Sequence, residues 1–349
     1  MIGDALDILV IGASYGLLPA AKAALAGHRV TVVGHAREAA DIAAKGLRID
    51  LGPAGVLNLG QGVAVIGPEA AEPDRADLVI LAVQEPLLGH ASLRSLMKRL
   101  AAAKVPLVSI MNHPPLSFME RLMGAAASGL ASAYAVPDLW SDFDPLLVTH
   151  SSPDAQALRP DPSDLGLLRV PLPTNFKIAP FGDRGAQDRL SMLCESIDGV
   201  RLGGRRAPVR LVAHPAVHVP LAKWPMLITG NYRAITDGDA RSIDAAVWAD
   251  PARAREIYDA VSGILIGLGV PAQVMVPFDA YAAAARSLTK PSAVARALAA
   301  GAPQVERVDL LVRIIAQKER QAIPELDDIV ARVDRKLLAN RARAGSNAP

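Results

Sequence analysis

Between residues 7 and 112 short apolar runs alternate with helix-forming segments, and no other feature constrains the fold as strongly. "DILVIG" (7–12), "RVTVVG" (29–34), "GVAVIG" (62–67), "ADLVILAV" (76–83) and "VPLVSIMN" (105–112) each read as a buried strand. Helical segments separate them, from about 17 to 26, through "AREAADIAAKG" and through "HASLRSLMKRLAAA". Strand and helix in repetition predict a parallel sheet with right-handed crossovers. Only 4% of the residues are aromatic while 51% are hydrophobic, so Ala, Leu and Val must fill the interior. Helices are therefore expected to pack closely.

From 133 to 182 the strand signal weakens. "YAVPDLW", "PLLVTHSS" and "NFKIAPFG" lie among proline-rich turns and read as antiparallel or edge strands. "RGAQDRLSMLCESI" reads as an amphipathic helix, and "DGVRLGGRRAP" (198–208) as a charged connector where the domain boundary falls. Beyond 221 the periodicities are mostly helical, with Asp250-Pro251 and Ser292 as helix starts and Gly269 and Gly301 as stops. The expected organisation is α/β: a parallel-sheet domain over 1–200, an all-helical domain over 201–340 and a frayed tail over 341–349.

Lys and Arg number 37 against 35 acidic residues, a net charge of +2. Such a balance offers no broad field to nucleic acid or to an anionic membrane, and neither is expected as a partner. The single cysteine, Cys194, excludes an intrachain disulfide and a cysteine-based metal cluster. It reads as a packing residue in a helix. With no leader-like start and no apolar run of spanning length, the expected location is the cytoplasm.

The first strand-to-helix turn reads Gly12-Ala13-Ser14-Tyr15-Gly16-Leu17 where a dinucleotide fingerprint would read G-x-G-x-x-G. Gly12 permits the tight turn that aims helix amides at a pyrophosphate. Ser14 is small enough for the second glycine place and carries a hydroxyl for a phosphate oxygen. At the third, either Leu17 widens the helix-to-strand spacing or Gly16 takes the job in a turn one residue shorter. The second strand ends Val33-Gly34-His35-Ala36-Arg37, a stretch with a guanidinium and no carboxylate, which suits a 2′-phosphate and favours NADPH over NADH.

With these pieces placed, the chain resembles the ketopantoate reductase family, whose members couple an NADPH-binding Rossmann domain to a helical C-terminal domain. "VTVVGHAREAADIAAKGLRID" is similar to the family's second strand and following helix, and "ADLVILAVQE" to its fourth strand, with Val83-Gln84 in place of Val-Lys. "VSIMNHPP" is similar to the strand ending in Asn-Gly, which puts Asn112 on the asparagine and His113 on the glycine. "LAKWPMLITGNYRAIT" resembles the Lys-Leu-x-x-Asn-x-x-x-Asn segment: Lys223 and Asn231 match at a spacing of eight, and Leu227 replaces the intervening asparagine. Ser292, in "KPSAVARALAAG", lies in the region of the family's Ser-Ser pair. The place of the family's glutamate falls on Val305, with Glu306 one residue later, about 100° around a helix.

The resemblance implies an NADPH-dependent reductase of a small carbonyl substrate, a 2-oxo acid, with hydride transfer in the interdomain cleft. Gly12, Ala13, Ser14, Tyr15, Gly16, His35, Arg37, Val83, Gln84 and Asn112 are then the cofactor-binding residues. Hydride delivery builds negative charge on the carbonyl oxygen, so a donor must supply a proton, and Lys223 is the candidate. Asn112 and Asn231 are placed to bridge cofactor and substrate, Ser292 to hold a carboxylate, and Glu306 to take the glutamate's part.

"AHPAVHVP" (213–220) opens another possibility. His214 and His218 stand four apart, a metal-ligand spacing on a helix, but Pro215 and Pro220 argue against the helix, so no metal is expected. His218 alone reads as an acid or base. The segment loosely resembles the His-Pro stretch of opine dehydrogenases, which gives an alternative activity, reductive coupling of an oxo acid with an amine. A third reading is a non-catalytic NADPH-binding sensor. Trp224 is either a wall of the substrate pocket or core. "AYAAAAR" (280–286) reads as a close helix contact or a dimer face, and the expected assembly is a homodimer.

Overall fold

The computed structural model describes residues 5–60, 62–153 and 156–346. The chain divides into two compact units: residues up to Leu122 with Val136–Pro220, and Met123–Ala135 with the chain from Leu221 onward.

In the first unit the predicted strands appear as β1 (Asp7–Ile11), β2 (Arg29–Val33), β5 (Ala64–Ile66), β6 (Leu78–Leu81) and β7 (Leu107–Ile110), with α1 (Leu17–Leu25), α2 (Ala36–Lys45) and α3 (Ala91–Ala102) among them. They form a parallel sheet in the order β5-β2-β1-β6-β7-β8, where β8 is Val148–Ser151. Val10, Ile11, Leu81 and Leu107 are wholly buried, each such side chain contributing about 1.5–3 kcal/mol. Ala20, Ala21 and Ala23 of α1 are equally buried, which is how a core poor in aromatics closes up.

Several segments depart from the sequence reading. "GLRID" and "VLNLG" are strands, β3 (Leu47–Asp50) and β4 (Val56–Gly60), in a second sheet ordered β4-β3-β10-β9. β9 is Gln156–Leu158 and β10 Leu167–Leu172. After α4 (Leu116–Met123), "YAVPDLW" contains not a strand but a short helix, α5 (Pro137–Trp140). Proline sits comfortably in a first helical turn, and the Val136 N–H donates to the buried Glu85 carboxylate at 2.9 Å. β8 is an edge strand but parallel to β7, and β11 (Phe176–Ile178) pairs in parallel with β14 (Leu211–Ala213). Between these two lie α6 (Arg184–Gly199), capped by the Asp183 carboxylate, and a hairpin of β12 (Arg201–Leu202) and β13 (Arg205–Arg206). The β11–β14 pairing joins 211–213 to the first unit, so the division falls after Pro220 rather than after 200.

The second unit is helical: α7 (Trp224–Met226), α8 (Ile243–Trp248), α9 (Pro251–Gly267), α10 (Phe278–Ala285), α11 (Ala293–Ala299), α12 (Val308–Lys318) and α13 (Pro324–Ser346), with a 3₁₀ turn at Leu130–Ala133 against α12. Asp250 caps α9, and Gly269 and Gly301 take φ of +89° just past α9 and α11. Ala282 and Ala285 are buried within this unit while Ala283 and Ala284 are exposed, so the alanine run is first a helix contact. α13 continues to Ser346 where a frayed tail was expected from 341, and residues 347–349 lie outside those described. Among the described residues no helix is long and apolar enough to cross a membrane.

One buried charge gives the first unit a measurable signature. Lys22, in α1, is 2% exposed and donates to the Pro208 carbonyl. Burial pushes its pKa down from 10.5 to about 8. Between those values the unfolded chain holds a proton that the folded chain has released, so stability rises with pH across that window. The gain expected is about 3 kcal/mol. Urea unfolding at pH 7.5 and pH 10.5 checks it: wild type gains stability, and Lys22→Met lacks that gain.

Candidate active site

The strand order reverses between β1 and β6, so the loops leaving their carboxyl ends border the crevice where open α/β sheets bind ligands. Gly12 leaves β1 with φ of +113°, and its N–H donates to the Val33 carbonyl at 2.9 Å. A Cβ there would collide with the Ala82 carbonyl and lie 3.0 Å from Val83 Cγ1. Gly16 is equally constrained, since its Cβ would collide with the Gly12 carbonyl and meet Val10 Cγ1 at 2.9 Å. Close helix-to-strand packing therefore falls to Gly16, and Leu17 is simply a buried first residue of α1. Ala13 is buried, Ser14 exposed, and Tyr15 half-buried with its ring edge-on to Phe176 at 5.7 Å. Among the described residues, the N–H groups of Ala13, Ser14 and Gly16 have no acceptor. Three amides at a sheet's switch point fit a pyrophosphate.

Around this loop, Val83 is half-buried beside Gly12, Gln84 is exposed after β6, and Asn112 is half-buried two residues past β7. His35 and Arg37 are exposed at the start of α2. The sequence reading stopped at Arg37 and so missed Glu38, whose carboxylate accepts the His35 N–H at 2.9 Å and pairs with Arg159 at 2.8 Å. A carboxylate does stand at this strand end. Glu at the third helical position is a capping-box signal legible in the sequence; Arg159 is not, because it arrives from the end of β9.

Beneath the ends of β7 and β8, Ser109 Oγ and His150 Nδ1 lie 2.7 Å apart and wholly buried. Burial pushes the His150 pKa down to about 3, so the ring is neutral at physiological pH.

In the helical unit four of the predicted residues gather about one helical stretch. Lys223, half-buried, ends a 3₁₀ turn; α7 follows, and Leu227–Tyr232 is a π-helix, in which the Arg233 N–H reaches back five residues to the Ile228 carbonyl at 3.2 Å. π segments are rare and recur at functional sites. Eight residues of α-helix overshoot two turns by about 80°, and the wider π turn reduces that overshoot, bringing positions 223 and 231 toward one side. Gly230 makes this possible: a Cβ there would collide with the Tyr281 hydroxyl, which donates to the Met226 carbonyl at 3.1 Å.

The Ser292 hydroxyl donates to the Asn231 carbonyl at 2.7 Å and accepts from the Ala295 N–H at 3.2 Å. Both capacities are therefore engaged in capping α11 and fixing Asn231. The next residue, Tyr232, donates to the Glu306 carbonyl at 2.6 Å, and Glu306 is 7% exposed. Trp224, 1% exposed, is core.

His214 and His218 fall after β14 and outside any helix, so the four-residue spacing does not place them on one face. His214 Nδ1 accepts the Ala216 N–H at 3.0 Å. His218 is half-buried in the first unit. Among the described residues no group of three His, Cys, Asp or Glu could hold a metal ion.

No protein-family model matches the sequence, and no curated protein matches it. Solved structures match over nearly the whole chain. The crystal structure of 2-dehydropantoate 2-reductase from Methylococcus capsulatus has a TM-score of 0.68 at 16% identity, covering 96% of this chain and 98% of that one. This chain has the ketopantoate reductase fold. A dimeric ketopantoate reductase from Staphylococcus aureus is similar at a TM-score of 0.62 and 10% identity, over 96% of this chain and 100% of its own. D-mandelate dehydrogenase, in a ternary structure with NADH and anilino(oxo)acetate, gives 0.65 and 13% identity over 96% and 100%. The ketopantoate reductase fold thus accounts for both the parallel sheet and the helical unit expected from the sequence.

Proposed function

We propose that this protein is an NADPH-dependent reductase of a small carbonyl substrate, a 2-oxo acid. The observation that carries the reading is the loop after β1, where Gly12 and Gly16 hold three acceptor-less amides at the switch point of the sheet. Those amides would hold the pyrophosphate, with Arg37 at the rim for a 2′-phosphate and Asn112 and Val83 along the ends of the adjoining strands. Bound there, the nucleotide supplies a hydride.

The chain's own residues must then stabilise the oxygen on which charge develops. Lys223 carries the proton for it, and Asn231 offers amide hydrogen bonds on the same helical stretch. Ser292 holds Asn231 in place from behind. Glu306, fixed through its carbonyl to Tyr232, is assigned the part of orienting the lysine or the substrate. The structures of an NADH-bound mandelate dehydrogenase and of ketopantoate reductases on this fold support a nicotinamide cofactor and the 2-oxo acid class. The dimeric relative supports a homodimer. Cys194 is buried, with its thiol pKa pushed up to about 12, which fits a packing role; the location we propose is the cytoplasm.

Titration of the purified protein with NADPH and NADH, followed by nicotinamide fluorescence, tests this. Binding is expected, followed by oxidation of NADPH on addition of a member of a 2-oxo acid panel. Turnover only when an amine is also present would instead indicate imine reduction. Binding without any turnover would indicate a sensor, and no binding of either nucleotide would overturn the reading altogether.

A further inference from the structure

The tip of β2 holds two charges that this reading leaves unused. Glu38 folds back over Gly34, where a Cβ would meet its Oε2 at 2.9 Å, and that same oxygen accepts the His35 N–H. Oε1 accepts from Arg159 at 2.8 Å, the two side chains being 13% and 19% exposed. The same Arg159 nitrogen donates to the Ala13 carbonyl in the nucleotide loop, and its Nε is buried with no hydrogen-bond partner. A guanidinium brought by the second sheet thus ties the end of β2 to the loop after β1.

A lone carboxylate at this tip accepts from a ribose 2′-hydroxyl and repels a 2′-phosphate. Paired with Arg159 it is neutralised, and the exposed Arg37 beside it leaves the tip positive. We propose that the Glu38–Arg159 pair determines which nicotinamide nucleotide is accepted, Arg159 shielding Glu38 so that a 2′-phosphate is admitted, an inference that rests on the nucleotide-binding reading above. Glu38 is the element that rejects the phosphate, and Arg159 is the element that overrules it.

The test is the ratio of NADPH to NADH dissociation constants, by nicotinamide fluorescence, for wild type, Arg159→Leu, Glu38→Gln and the double variant. Arg159→Leu is expected to weaken NADPH by about tenfold or more, the scale of one charge-assisted contact, with NADH changed by less than about threefold. Glu38→Gln retains an acceptor for the His35 N–H and is expected to fold; it should shift the ratio toward NADPH. The double variant should recover NADPH binding relative to Arg159→Leu, because the exposed carboxylate is gone.

If Arg159→Leu weakens both nucleotides equally, the arginine only steadies the loop and the proposal is overturned. An unchanged ratio in Glu38→Gln overturns it as well, even if Arg159→Leu does not fold. Wild-type protein that binds neither nucleotide removes the nucleotide reading and this inference together, an outcome distinct from binding without selectivity.

Discussion

Lys223→Ala is expected to lower turnover of the 2-oxo acid by about 100-fold or more, the scale on which a positioned proton donor acts. The NADPH dissociation constant should stay within about twofold, since an interaction made only in the transition state lowers kcat and kcat/KM together. The lysine ends a 3₁₀ turn at the mouth of the π-helix, and no assigned nucleotide contact comes from that segment. Steady-state kinetics beside a nucleotide titration checks both halves. Wild-type turnover in the variant would pass the proton-donor role to His218.

Gly12→Ala is expected to cost about 3 kcal/mol of stability and to abolish nucleotide binding. Its φ of +113° is rarely adopted by a residue with a side chain, and the added methyl would collide with a backbone carbonyl, that of Ala82, which has no rotamer in which to retreat. Relief requires β1 and β6 to part at the point where the loop amides are presented. Urea denaturation should show the midpoint falling, and fluorescence titration should show no saturable NADPH signal. A variant of wild-type stability that still binds NADPH would mean that the loop adapts, and the three amides would lose their claim to be pre-arranged.

What could be read from the sequence was whatever local chemistry decides. The strands of the main sheet announce themselves because a strand buried on both faces is a continuous apolar run, as Leu78–Leu81 is. Ser292 and Asp250 were legible as helix starts because a cap is a contact over three residues. "GLRID" was not, because β3 sits between β4 and β10, and the second of those partners comes from far along the chain. "YAVPDLW" misled because proline is tolerated in an edge strand as well as in a first helical turn, and what decides for the helix is Glu85, 51 residues before Val136.

The candidate site divides in the same way. Gly12 and the Lys223–Asn231 spacing are local patterns. The π-helix between Lys223 and Asn231 is not, since the space beside Gly230 is filled by Tyr281, a residue of another helix. Ser292 shows a subtler limit: the residue was singled out, but its hydroxyl is committed to Asn231 and to its own helix, which only the assembled chain reveals.

The excursion of Met123–Ala135 into the helical unit matters for how the protein is made. Its 3₁₀ turn, Leu130–Ala133, packs on α12, which begins only at Val308. At roughly 5–20 residues per second, a ribosome leaves that turn waiting on the order of ten seconds for its partner. Meanwhile β8 through β14 emerge, and every strand they pair with lies at or before β14. The sheet-bearing unit can therefore close while Leu130, wholly buried in the finished protein, still has nothing of its own unit to bury against. Until α12 appears, the Leu130 side chain has to wait uncovered.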